Sequence, residues 1–303
     1  MYNNHRVTIV VYFYGGGMMT QKIAVAFLHG AGTPDRDFAE DMSNKIKNGF
    51  AANAGSEFCE DLVFEPVFWS AVFETEEAIL LERLKKNTDL DYLRLRRFVV
   101  EFLADAVAYQ PTKERNKNYD RVNALLAASI QELKGKAGKT APLCVISHSL
   151  GSVVASNYFY DLQFKHENIG PETNQVKSNE PIEQAETLAL FYTMGSPLAL
   201  WSMRYENFGR PIRVPSPGIE NIHPRIQGEW LNFYDKDDVL AFPLKGLNEY
   251  YEKQVTRDVP VNAGEWLTGW TPLSHNNYNS DNEVIQPIVD GLVRTWKQVN
   301  GKN

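Results

Sequence analysis

Cysteine is scarce in this 303-residue chain, which contains only Cys59 and Cys144. With Cys144 inside the apolar run LCVIS, the pair supports neither a disulfide framework nor a cysteine-based metal site, and suits a reducing compartment. An excess of positive charge is also missing. The chain has 31 Lys and Arg against 38 Asp and Glu, a formal net charge of -7, which excludes a general nucleic-acid binder. Long hydrophobic runs are absent too. The longest near the N-terminus, VTIVVYFY at 7–14, is too short to span a bilayer, and no signal-peptide cleavage site follows it. The expectation is a cytoplasmic protein with no membrane span. No His and carboxylate cluster has metal-ligand spacing, so neither metal nor cofactor is expected, and no internal repeat or low-complexity segment is visible.

Apolar residues are plentiful: 43% of the chain is hydrophobic and 12% aromatic, enough to bury a sizeable core. Short β-branched and aromatic runs at 22–29, 62–69, 143–147, 187–195 and 229–235 read as strands. They alternate with segments of helical periodicity at 36–52, 74–87, 91–109, 120–135, 149–165 and 284–299. That alternation predicts an α/β fold, a mostly parallel central sheet with helices on both faces, in one domain over 18–303. Residues 1–17 read as an extension or an edge strand. The polar stretch 166–185, with Pro171 and Pro181, reads as a surface loop. The irregular stretch 197–228 reads as a functional or mobile loop, a partial lid.

The stretch PLCVISHSLGSVVASNYF at 142–159 places Ser149 between an apolar strand and a helix that opens on small residues. A nucleophile elbow needs small residues two before and two after its serine, because helix and strand approach closely there. Ser147 and Gly151 meet that need, Ser147 standing where glycine is usual. The pentapeptide alone reads equally as an N-cap serine. FLHGAG at 27–32 adds a second element. Backbone N–H groups of Ala31 and Leu150 would form an oxyanion hole, with Gly30 letting the chain turn close to the substrate and His29 bracing the loop. His148 reads as a structural neighbour that lines the substrate site.

An activated serine also needs a base and a group to orient it. In the order Ser, acid, His, the base falls late in the chain, and His275 in TPLSHNNY follows the last acidic strand end. Three carboxylates in YDKDDVLAFPL compete as the acid. Asp238 ranks first because the apolar VLAFP follows it, Asp235 is second, and Asp237 reads as a turn former.

With FLHGAG, SHSLG, GSPL, YDKDDVLAFPL and SHNNY in this order from about residue 22 to the C-terminus, the chain resembles the α/β-hydrolase superfamily of serine esterase and lipase type. Its acid stretch is similar to that of intracellular phospholipase A1 relatives, in which an Asp before a short apolar pair and Ala carries the acid, here Asp238. The resemblance implies a Ser149, Asp238 and His275 triad acting on a small-molecule ester, thioester or lipid-like substrate. An acyltransferase with the same triad and a non-catalytic scaffold that binds a ligand or partner are the alternatives. In 197–228, Arg204, Arg210, Arg213 and Arg225 outnumber Glu206 and Glu220. This predicts one or two arginines, Arg204 among them, facing an anionic substrate group beside an apolar wall that includes Trp201, against the plainer reading of solvated or paired arginines.

Overall fold

The computed structural model describes residues 20–32, 34–35, 37–86, 102–110, 117–263 and 278–302. Six strands form one parallel sheet: β1 (Ile23–Leu28), β2 (Leu62–Val67), β3 (Leu143–His148), β4 (Leu188–Met194), β5 (Glu229–Asp235) and β6 (Arg257–Val261). Their spatial order is β2-β1-β3-β4-β5-β6. The inner strands β1, β3 and β4 are buried at every position. This explains their unbroken apolar sequences, because a parallel sheet is covered on both faces.

The covering helices are α1 (Glu40–Ala54), α2 (Glu74–Lys86), α3 (Lys117–Ala137), α4 (Leu150–Phe164) and α5 (Asn282–Asn300). Alternate strand residues divide the core in two. Ala24, Ala26, Leu28, Leu143 and Val145 pack under α3 and α4, whereas Ile23, Val25, Phe27, Cys144 and Ile146 pack under α1 and α5. The chain leaves β1 through α1 on one face and β3 through α4 on the other. The gap between the carboxyl ends of β1 and β3 is therefore a topological switch point, where open α/β sheets bind ligands.

Five strands fall within a few residues of expectation, but β6 was not foreseen. Its sequence RDVPV carries charges and a proline, which an edge strand tolerates because one side of its backbone is unpaired. The stretch 166–185, read as a loop, contains the short helix Pro171–Val176, whose first turn is capped by Asp120: its carboxylate accepts from Glu172 N at 2.8 Å and Thr173 N at 3.0 Å. Residues 1–17 lie outside the described residues. Among the described residues no helix is long and apolar enough to cross a membrane.

Close docking of α5 depends on Gly291. A Cβ there would stand 1.9 Å from Tyr192 Oη and 2.3 Å from Glu229 Oε1. That tyrosine is fully buried and donates to Glu229 at 2.6 Å, and Arg294 of α5 holds the other carboxylate oxygen at 2.8 Å. Gly291→Val should overpack this contact and lower stability by about 2–3 kcal/mol, read from the midpoint of urea denaturation. A change below about 0.5 kcal/mol would show that helix and sheet can separate here at little cost.

Candidate active site

In a parallel sheet all strands end on the same edge, so the segments after β1, β3, β4 and β5 meet there whatever their separation in sequence. Ser149 stands at the end of β3, at φ 49° and ψ -126°. A positive φ on a non-glycine residue is strained. An N-cap serine would adopt extended backbone and accept from the helix with its hydroxyl. Ser149 does neither, and its side chain makes no capping hydrogen bond to α4.

Neighbours hold the turn from several sides. Ser149 N donates to Met194 O at 2.9 Å, and Ser149 O accepts from Ser152 N at 3.0 Å and Ser152 Oγ at 2.6 Å. The Ser152 hydroxyl in turn lies 2.7 Å from Ser196 Oγ in the GSPL segment, which accepts from Leu198 N at 3.2 Å. Both small positions have visible reasons. A Cβ on Gly151 would fall 2.2 Å from His29 O and 3.0 Å from Leu28 O, so only glycine lets α4 start this close to β1. Ser147, in place of the usual glycine, is fully buried and donates to Tyr192 O at 3.2 Å.

The segment after β1 lies against the turn. A Cβ on Gly30 would touch Ser149 Cβ and His148 Nδ1, each at 3.0 Å. His29 is buried, with Nδ1 2.7 Å from Gly30 O and its ring stacked on Trp69, whose Nε1 donates to His29 O at 2.8 Å. Burial pushes the His29 imidazole down to about 4, against the opposing effect of the Gly30 contact. Ala31 packs at the margin of the core, and Gly32, at φ 83°, donates its N–H to Asp105 Oδ2 at 2.8 Å. Asp105 is fully buried in the helical residues 102–108. It braces the segment, a role that nothing in the amphipathic reading of 91–109 suggested, because a carboxylate in such a helix reads as solvated.

After β5, Asp235 and Asp238 are both buried, while Asp237 is exposed and donates its N–H to Asp235 Oδ1 at 2.9 Å. Asp238 Oδ1 accepts from Leu240 N at 3.0 Å. Tyr278 joins the two acids: its hydroxyl accepts from Asp235 N at 2.9 Å and donates to Asp238 Oδ2 at 2.9 Å. Burial first, and then the Asp238 charge, push this phenol well above its ordinary range, so it stays protonated. The Tyr278 ring lies 5.9 Å from that of His148, itself buried. Tyr278 was not singled out in the sequence, although it closes the SHNNY motif. His275, the expected base, lies outside the described residues.

The structure brings Ser149, Leu150, His148, His29, Gly30 and Ala31 together and places Asp235 and Asp238 on the same edge. Trp201 and Arg204 belong to the segment after β4, which runs alongside α4. Arg204 donates to Trp201 O at 3.2 Å, to Gln110 Oε1 at 3.2 Å and to Asn157 Oδ1 at 3.1 Å, and stacks on Tyr205. Arg210 and Arg213 both lie over Phe164. At 1.5 Å per helical residue, Asn157 is about 12 Å and Phe164 about 22 Å along α4 from Ser149. Trp201 meets Phe102 edge-on at 6.5 Å. Among the described residues no group of three or more His, Cys, Asp or Glu could hold a metal ion.

Comparison with protein-family models and with curated proteins finds no match.

Tyr278→Phe removes the one hydroxyl shared by Asp235 N and Asp238. Leaving a buried N–H and a carboxylate oxygen short of a partner should cost about 1–3 kcal/mol, measured by thermal or urea denaturation. A loss below about 0.5 kcal/mol would mean that this hydroxyl does not fix the acidic turn.

Proposed function

We propose that this protein is a serine hydrolase of the α/β-hydrolase type, cleaving a carboxylic ester or thioester through an acyl-enzyme. The observation that carries the reading is the backbone of Ser149: a non-glycine residue held at positive φ at a strand-to-helix turn, with its hydroxyl not used as a cap. That conformation costs about 1–3 kcal/mol, and strain of this kind is retained where a side chain must be presented, as in a nucleophile elbow.

In this reading Ser149 Oγ attacks the carbonyl carbon, and its proton passes to the imidazole of His275. The carbonyl oxygen, now an oxyanion, takes hydrogen bonds from the backbone N–H groups of Leu150 and Ala31. The carbonyl re-forms as the leaving alcohol or thiol departs with the proton from His275, and water then releases the acid by the same steps in reverse. Asp238 orients the imidazole and stabilises its protonated form. Support for the late histidine comes from the chain itself. His275 precedes Tyr278 by three residues, a tether of at most about 11 Å, and Tyr278 is bonded to Asp238.

A fluorophosphonate probe should label the wild-type protein and hydrolysis of short p-nitrophenyl esters should be measurable. Ser149→Ala should abolish labelling and lower turnover by about 10^5-fold or more without changing the circular dichroism spectrum. Labelling that persists in Ser149→Ala would remove the serine from the mechanism.

The acid is tested separately. Asp238→Asn should lower kcat by about 10^3- to 10^4-fold and Asp235→Asn by far less, both compared at equal folded fraction. The opposite ranking would transfer the orienting role to Asp235.

A further inference from the structure

His29 carries a buried nitrogen without a hydrogen-bond partner among the described residues. The residue is 6% exposed. Its ring is fixed by Trp69, stacked with centroids 5.1 Å apart and planes at 11°, and by Phe38, which meets it edge-on at 5.2 Å. Nδ1 lies 2.7 Å from Gly30 O. A carbonyl oxygen only accepts, so Nδ1 carries the proton, and in a neutral ring Nε2 is then a lone-pair acceptor. The depressed basicity of this imidazole keeps it neutral at physiological pH. Nε2 is enclosed and has no hydrogen-bond partner among the described residues, a state that buried polar atoms rarely keep without a reason.

The same residue borders a mostly apolar cavity of about 10 Å3, lined also by Phe38, Ala39, Met42 and Met194 and by two further polar residues, His148 and Asn279. That volume admits one water-sized group. The cavity adjoins the nucleophile turn, because His148 precedes Ser149 and Gly30 packs against both. A neutral acceptor in a mostly apolar wall, two residues before Ala31, complements a single small donor and brings no full negative charge toward the reacting carbonyl.

We propose that His29 Nε2 accepts a hydrogen bond from a substrate hydroxyl, making this protein selective for esters that carry a hydroxyl within a few bonds of the scissile carbonyl. The inference rests on the hydrolase reading of Ser149. The hydroxyl has two possible sources, the acyl chain of a hydroxy acid or the alcohol part of a polyol ester, and both present the same donor to Nε2.

The test compares kcat/KM for two matched pairs on the full-length protein. p-Nitrophenyl 3-hydroxybutyrate against the butyrate probes the acyl source, and glyceryl monobutyrate against propyl butyrate probes the alcohol source. The hydroxylated member should be favoured by at least about tenfold in one pair. In His29→Asn, whose amide N–H can still reach Gly30 O but which has no group at the place of Nε2, that ratio should fall to near one. A second measurement does not depend on the variant folding: in nitrogen NMR of the wild-type protein, 3-hydroxybutyrate or glycerol should shift the His29 Nε2 resonance, and butyrate or propanol should not. Ratios within twofold in both pairs, a preference that survives in His29→Asn, or an Nε2 resonance unmoved by either hydroxylated ligand would overturn the proposal and leave a trapped water as the occupant. If the wild-type protein takes no fluorophosphonate label, the hydrolase reading falls and this one with it. Labelling with flat ratios removes this one alone.

Discussion

The backbone of Ser149 is the constraint to which the surrounding structure answers. A serine at φ 49° and ψ -126° relaxes to an ordinary helix cap unless its neighbours prevent it. Here the restraint comes from three strands at once. β4 accepts the Ser149 N–H, β1 presents the two carbonyls that admit only a glycine at 151, and β3 delivers the chain with a buried serine at 147 tied to β4. The position of the side chain is thus a property of the sheet, not of the pentapeptide. Motif and strain meet because the sequence rule, small residues on either side, is the steric condition for this backbone.

Parallel topology then decides what else arrives at the same edge. Because β1 lies between β2 and β3, the segment after β1 sits beside the Ser149 turn, and two buried side chains from later in the chain brace it. Trp69, just past β2, donates to His29 O, and Asp105 accepts from Gly32 N. Each bond ties a backbone group of the segment 29–32 to a buried side chain. Such groups must be preorganised if their N–H donors are to serve an oxyanion without reorganisation.

The parts of this arrangement that were legible in the sequence are those governed by local rules. Five strands and the long helices follow from periodicity, and the small residues at 147 and 151 follow from the sterics of a tight turn. The parts that were not legible depend on tertiary partners. β6 is a strand by pairing with β5, not by propensity. Asp105, Asp120 and Tyr278 read as surface polar residues until the backbone groups they satisfy are known. Of the arginines in 197–228, Arg204, Arg210 and Arg213 lie over aromatic rings, and Arg204 also bonds the side-chain amides of Gln110 and Asn157, contacts that neither the substrate-facing nor the solvated reading described. Local charge reversal in a loop does not reveal which way the side chains turn.

The acidic turn after β5 shows how a correct expectation can have an incomplete cause. Asp238 was expected to be buried because apolar residues follow it, yet Val239 is 85% exposed. Burial comes instead from the turn itself, in which Asp235 O accepts from Asp238 N and Asp238 Oδ1 from Leu240 N, and from Tyr278 lying over it. The same hydroxyl meets the two buried acids through different groups. The Tyr278 hydroxyl accepts from the backbone N–H of Asp235 and donates its proton to the carboxylate of Asp238. The carboxylate of Asp238 is thereby bonded to Tyr278 at the start of the described C-terminal segment. A phenol pushed upward by burial and by that carboxylate keeps its proton and donates it to the bond. The link between the acidic turn and the C-terminal segment is thus a neutral donor on a carboxylate, and it fixes how that carboxylate is turned.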